Sequence, residues 1–430
     1  MARRWVRLTA LALAVGCQAP PPTGPSTGLL PAGPTAAIGT DWATVAVLSR
    51  TDLGTLGGTS SYSTDVNNRG TVVGWSQNAN GIVRAFRWTV THGMTDLGTL
   101  PGDEWSRAYR IRNDGQILGV SGASTHPATP VVWSRSGSIA ALPIPLLPNA
   151  AFGYPTDFNL QGDVVGWDVV VLQHAWAWTQ AQGKYDITAS IPGGFEGVAS
   201  QVNALGLVVG TDHARTCVRS PECWHAFLWR AETGYRDLGT PGADTNTMVT
   251  GNSLNDAGTV VGWTSTPDTG LRPYRWSEEE GFTLLPALSY GYALSINSRN
   301  TAVGASEDPA YGAIQADAWP AGGGMIKLSP DDPYPQVAVA INDRGVVAGW
   351  SSKDCCGGEN HATLWVLGPA NAVVTANVGR VSVPSRLGGA ASGPVARVAT
   401  SGTVACLSDA RALTSRGALF ACVAKGEAKL

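Results

Sequence analysis

The sequence predicts an all-β chain folded as a seven-bladed β-propeller of four-stranded blades. Three observations predict it. First, an apolar residue leads into Asn-x-x-Gly, and a short β-branched run then ends on another Gly, seven times over. The cleanest copy is Ile341-Asn342-Asp343-Arg344-Gly345-Val346-Val347-Ala348-Gly349-Trp350. The others are 66–75, 111–120, 158–167, 202–211, 254–263 and 296–305. Second, Trp88, Trp133, Trp178, Trp229, Trp276, Trp319 and Trp365 each end a short apolar segment, at spacings of 45, 45, 51, 47, 43 and 46 residues. Third, a Leu-Gly or Leu-Pro element stands ahead of each hairpin, clearest at Asp52-Leu53-Gly54, Asp96-Leu97-Gly98 and Asp237-Leu238-Gly239. Four strand candidates per unit, at a period of roughly 40–50 residues, are the signature of propeller blades.

Turn chemistry explains the hairpin. Asn at the first place of a type I turn and Gly at the fourth suit that turn, because the Asn side chain bonds its own backbone and Gly accepts positive φ. Arg112 replaces the Asn in the second copy and Asn300 the Gly in the sixth. Asn is the next most tolerant residue for a left-handed conformation, so the second exception fits. The seven terminal tryptophans are expected in the core between neighbouring blades, since indoles bury large apolar area.

Taken from the N-terminus, residues 1–16 read as an export signal: Arg3, Arg4 and Arg7, an apolar run from Leu8 to Val15, then Gly16. Cys17 follows as in a bacterial lipoprotein box, although Ala14 stands where a larger aliphatic is usual. Residues 17–40, with six prolines after the Cys and no charge, form an extended spacer that would hold the globular part off a membrane. Residues 41–367 carry the repeats, and a strand over 42–48 leads in and is expected to complete the last blade beside Val366 and Leu367. Beyond them the period stops. Residues 368–430 are rich in Ala, Val, Ser and Gly, and are expected to be a poorly packed extension or a small β element.

The repeats resemble the HAF family of extracellular repeat proteins, whose name echoes His225-Ala226-Phe227, here leading to Leu228-Trp229. The resemblance covers 51–367. His-Ala recurs at His174-Ala175 and His361-Ala362, while Arg84, Thr129, Arg272 and Gln315 take the place of the His elsewhere. The resemblance implies a secreted β-repeat protein at the bacterial envelope and brings no catalytic residues with it.

Composition narrows the function. Only 14% of residues are charged and the net charge is −3, so no basic stripe exists to neutralise phosphates, and nucleic-acid binding is excluded. Seven cysteines suit an exported chain. With Cys17 taken by lipid, Cys217–Cys223 and Cys406–Cys422 are the expected disulfides, while adjacent Cys355 and Cys356 could bridge only through a strained ring. No motif calls for a cofactor, and a monomer is expected.

The stretch from the closing Gly to Trp varies between units, at 14, 14, 12, 19, 14, 15 and 16 residues. Alternating strand direction brings all seven of these connections to one face, where repeat scaffolds carry recognition. A binding face is therefore expected from loops 211–224 and 351–360, including His213, Trp224, Cys355 and Cys356, supported by Trp105 and Tyr311. Its ligand would be a glycan or an envelope protein. His174, His225 and His361 lack metal-site spacing and fall on separate units, so no metal site is expected; each would bond a turn carbonyl. The alternative is a polysaccharide lyase or glycoside hydrolase with paired carboxylates in the central funnel, with Glu196, Asp212 and Glu307 as loop candidates.

Overall fold

The computed structural model describes residues 45–370, apart from 192, 195, 215–222, 243–245, 267–269 and 355–357. Seven four-stranded antiparallel sheets form a closed ring, a seven-bladed propeller. In blade 1 the innermost strand is Gly57–Val66, the run into Asn67. The Val-Val-Gly strand Val72–Asn78 comes next, then Val83–Thr89 ending on the Ala-x-x-Trp segment, then the short outer strand Gly93–Asp96. Blades 2 to 6 repeat this order over 105–141, 152–186, 197–237, 246–284 and 291–327. Among the described residues no helix is long and apolar enough to cross a membrane.

One sequence expectation needs correction. Asp-Leu-Gly does not open a blade; it ends the outer strand and turns the chain inward to the next. The Asp96 carboxylate accepts the Gly98 N–H at 2.8 Å, and Gly98 has φ +79°, a conformation that glycine adopts without a Cβ clash. Asp52 and Asp237 make the same bond to Gly54 and Gly239.

The ring is fastened by the N-terminal strand, as expected from the sequence. Val45–Asp52 supplies the outer strand of blade 7, pairing antiparallel with Asn360–Pro369 from Val45 opposite Pro369 to Asp52 opposite Thr363. Of the expected strand 42–48, residues 42–44 lie outside the described residues; from Val45 the strand runs on past 48 to Asp52, the Asp of the repeated turn.

The seven terminal tryptophans are all buried, from 0% exposed at Trp133, Trp319 and Trp365 to 9% at Trp178. They pack between neighbours: Trp365 of blade 7 lies against Ala316, Ala318 and Leu328 of blade 6, and Trp133 of blade 2 against Val73 and Ala85 of blade 1.

Two sets of polar contacts repeat from blade to blade. At one end, each turn Asn uses its side-chain oxygen for its own turn, as Asn342 does for the N–H groups of Arg344 and Val346, both at 2.9 Å. Its side-chain nitrogen donates to the carbonyl of the next turn. Seven such bonds of 2.7–3.2 Å run through Asn67, Arg112, Asn159, Asn203, Asn255, Asn297 and Asn342 and close on Asn67. Arg112 keeps the circle unbroken by donating through its guanidinium. At the other end, Ser61 accepts the Ala362 N–H and donates to the Gly54 carbonyl. Ser106 and Thr247 do the same for Ala85 with Gly98 and for Ala226 with Gly239.

Candidate binding face

The strand order gives the propeller two unlike faces. The Asn-x-x-Gly turns emerge on one, the hairpin face. The connections of variable length and the Asp-Leu-Gly turns emerge on the other, the variable face.

Much of the repeated polar chemistry is spent on structure. His174 Nδ1 lies 2.9 Å from Asp186 and His225 Nδ1 2.8 Å from Asp237, while His361 reaches Asp52 at 2.9 Å; Arg84 takes the same role towards Asp96 at 3.1 Å. The partner is thus an outer-strand carboxylate and not a turn carbonyl, because the Asp that starts the inward turn ends beside the third strand. The His225 pKa is raised, chiefly by its hydrogen bond to Asp237, and that of Asp237 is lowered: burial pushes it up and the His225 and Gly239 bonds outweigh that.

The channel is barred near the hairpin face. Blade 5 carries two extra residues in its inner segment: Met248, opposite Trp263, precedes Asn255 by seven, whereas Tyr62, opposite Trp75, precedes Asn67 by five. The extra length, turned at Gly251 with φ +67°, carries Asn252 across to Asp65 of blade 1, Nδ2 to Oδ1 2.7 Å. Asp65 also accepts the Ile111 and Val66 N–H groups. Asp157 accepts the Val202 N–H and lies 3.6 Å from Arg110. Burial raises the pKa of both carboxyls, that of Asp157 to about 7. These two inner-strand carboxylates bind neighbouring backbone and hold blades together.

Aromatic side chains that recur in only some blades gather towards the variable face. Tyr62 stacks on Trp75 at 4.3 Å and meets Trp350 of blade 7 edge-on at 5.7 Å. Arg107 of blade 2 lies over Trp75 at 5.2 Å and over Trp105 at 5.8 Å. Asn360 donates to the Tyr62 hydroxyl at 2.7 Å. Trp350, Tyr62, Trp75, Arg107 and Trp105 thus form one ladder across three blades, all half-buried. Stacked rings with a cation between them hold each other in place and keep amphipathic edges at the surface.

Sequence reasoning found only Trp105 of this ladder. A usable signal lay at the residue after the closing Gly, which is Trp in four of the seven hairpins (Trp75, Trp167, Trp263, Trp350) and Val, Thr or Ala in the rest. The other expected site residues are dispersed. His213 and Trp224 do meet, ring centroids 5.2 Å apart, on blade 4. Tyr311 is exposed on blade 6, its hydroxyl donating to the Pro330 carbonyl. Trp105, the His213–Trp224 pair and Tyr311 therefore occupy blades 2, 4 and 6, no two of them neighbours. Cys17, Cys217, Cys355, Cys356, Cys406 and Cys422 lie outside the described residues, as does the side chain of Cys223.

In blade 4, Asp212 is 1% exposed and pairs in register with His225. The Tyr235 hydroxyl lies 3.2 Å from both Asp212 oxygens. Burial, with the Asp237 charge nearby, raises the Asp212 pKa to about 7.

No family model matches the chain, and no curated protein matches it. Solved structures similar in shape include a prolyl endopeptidase (TM-score 0.47, 10% identity, 75% of this chain) and the β-propeller domain of the Trilobed protease from Pyrococcus furiosus (0.46, 8%, 75% of this chain and 98% of that one). A third is the BP39L lectin from Burkholderia pseudomallei (0.43, 11%, 74% and 97%). The match spans about half, 52%, of the prolyl endopeptidase. All three scores are below 0.5, and nothing is carried over from these proteins.

Proposed function

We propose that the protein is an exported, cell-surface binding module whose variable face recognises a glycan. The observation that supports this reading most is the half-buried ladder of Trp350, Tyr62, Trp75, Arg107 and Trp105 on the innermost two strands of adjacent blades. Sugars offer apolar ring faces edged with hydroxyls, and rigid aromatics with a few fixed polar groups suit that mixture. Hydrogen bonds and packing occupy the residues repeated in every blade, and in this reading recognition falls to the side chains of one face that vary from blade to blade.

An envelope protein is the other class of ligand for the same face. The alternative of a polysaccharide-cleaving enzyme requires two carboxyl groups turned towards substrate. Two inner-strand carboxylates of the described residues, Asp65 and Asp157, are both committed to backbone N–H groups.

In this reading the export signal, lipidation at Cys17 and the Pro-rich spacer place the propeller outside the cell, as the resemblance to HAF repeats also implies. Palmitate incorporated into the wild type and not into Cys17→Ser is the expected result for the anchor. For the face, the full chain is applied to an array of bacterial and plant polysaccharides beside Arg107→Ala and Trp105→Ala. Selective retention of the wild type, lost in both variants at unchanged far-UV circular dichroism, is expected. Retention of no glycan, or equal retention by the variants, sinks the reading.

A further inference from the structure

The hairpin face is divided by charge. At the third place of the Asn-x-x-Gly turn stand Arg299, Arg344 and Arg69 in blades 6, 7 and 1. Blades 2 to 5 have Asp114, Gln161, Leu205 and Ala257 there. The three arginines are exposed, and their blades are consecutive around the ring. Their turns hold one carboxylate, Asp343, and both of its oxygens are engaged. One accepts the Ser298 N–H at 2.9 Å and the other the Asn68 side-chain amide at 2.7 Å. Asp343 thus ties the blade 6 and blade 1 turns to its own and sets the three arginines in one row. The outer hairpins of blades 6 and 1 on this face, 320–324 and 89–93, contain no Asp, Glu, Lys or Arg. Exposed carboxylates of the face stand on other blades: Glu232 on blade 4, and Asp256, Glu279 and Glu280 on blade 5.

Both chain ends leave beside the arginines. The Leu367 N–H donates to the Gly345 carbonyl at 2.7 Å, next to Arg344, and Val45 pairs with Pro369. The segment leading in from Cys17 carries a single charge, Asp41. The segment leading out, 371–430, holds seven Lys or Arg against two carboxylates. Residues 45–370 as a whole hold 29 acidic residues and 19 Lys or Arg. So acidic a body is repelled by an anionic surface everywhere except at such a row, and charge decides which part approaches.

We propose, building on the reading of a Cys17 anchor, that blades 6, 7 and 1 rest on the anionic phospholipid surface of the anchoring membrane, with Arg69, Arg299 and Arg344 on headgroup phosphates. Guanidinium groups suit phosphate because two N–H donors can meet two oxygens. A basic side chain beside an anionic bilayer raises affinity about fivefold, so three arginines and a basic tail act together. The tether keeps the bilayer at high local concentration beside the row, which favours headgroups over the acidic blades 4 and 5 of a second copy.

The test uses residues 18–430, which keep every strand of the closed ring and carry no lipid. Co-sedimentation is measured with vesicles of phosphatidylcholine alone and of phosphatidylcholine mixed with phosphatidylglycerol. Binding to the anionic vesicles only is expected, lost in high salt. It should weaken about tenfold or more in Arg69→Gln/Arg299→Gln/Arg344→Gln. The three side chains are exposed, so far-UV circular dichroism should not change. Arg84→Gln/Arg272→Gln/Lys353→Gln removes the same charge from the variable face and should change binding less than about twofold. Equal binding by the two triple variants, or none to anionic vesicles, overturns the proposal. Binding that only deletion of 371–430 removes assigns the contact to the tail and overturns it too. A dimer that the turn variant splits, without vesicle binding, overturns it in favour of a second copy. Palmitate incorporation reads Cys17 separately, so failure of the anchor and failure of this contact give different results.

Discussion

Asn342 donates its side-chain amide to the backbone carbonyl of Asn67, 2.7 Å away, across the seam where the last blade meets the first. Beside it, Asn68 and Asp343 exchange bonds: Asn68 Nδ2 donates to Asp343 at 2.7 Å, and the Asp343 N–H donates to Asn68 at 2.9 Å. The seam thus has a polar clasp on the hairpin face in addition to its shared blade. Asn342→Ala removes two turn bonds and one bond between blades at a buried position, and should cost about 2–3 kcal/mol in urea unfolding. Arg112→Asn, which restores the common residue, should change stability by less than about 1 kcal/mol.

The shared blade makes the two chain ends unequal. Deleting 45–52 strips the outer strand from blade 7 and leaves Asn360–Pro369 as a bare edge. Deleting 371–430 removes no described strand. The first truncation should lose cooperative thermal unfolding and aggregate, while the second should melt within a few degrees of the full chain. Equal melting of the two would contradict closure by the N-terminal strand.

Burial raises the carboxyls of Asp157, Asp212 and Asp317 to about 7. In the unfolded chain they titrate near 4. Between about pH 4 and pH 7 the folded protein therefore binds more protons, and stability falls as pH rises. The contribution is fully present below the unfolded values and gone above the folded ones. Thermal unfolding at about pH 5 should occur at a higher temperature than at about pH 8. Asp317→Asn, fully buried beside Ser306, should flatten that dependence.

Two tryptophans separate scaffold from surface. Trp365 is wholly buried and its indole N–H donates to Ser329 at 2.9 Å. Trp365→Ala should cost about 3–5 kcal/mol, read by chemical denaturation. Trp105, half-buried against Arg107, should cost under about 2 kcal/mol when replaced by Ala, with its effect concentrated in glycan retention.

The fold was legible because its signals are local and repeated. Asn-x-x-Gly names a turn, Val-Val-Gly a buried strand and the terminal Trp a contact between blades, and repetition made seven weak signals into one strong one. Blade boundaries were less legible: Asp-Leu-Gly looks the same at the end of one blade as at the start of the next, and only the pairing of Gly93–Asp96 with Val83–Thr89 decides. The site was mostly hidden. Tyr62, Trp75, Trp350 and Arg107 come from three blades, and nothing in the chain says that residues 62 and 350 touch until the ring closes.

The pairing of Val45 with Pro369 also fixes how the molecule would carry tension. A pull on the chain ahead of Val45 runs along its strand, so the ladder to Asn360–Pro369 is loaded in shear, with its bonds stretched together instead of peeled singly. Both ends leave on the hairpin side, so a propeller towed from its leading end would travel with the variable loops facing outwards.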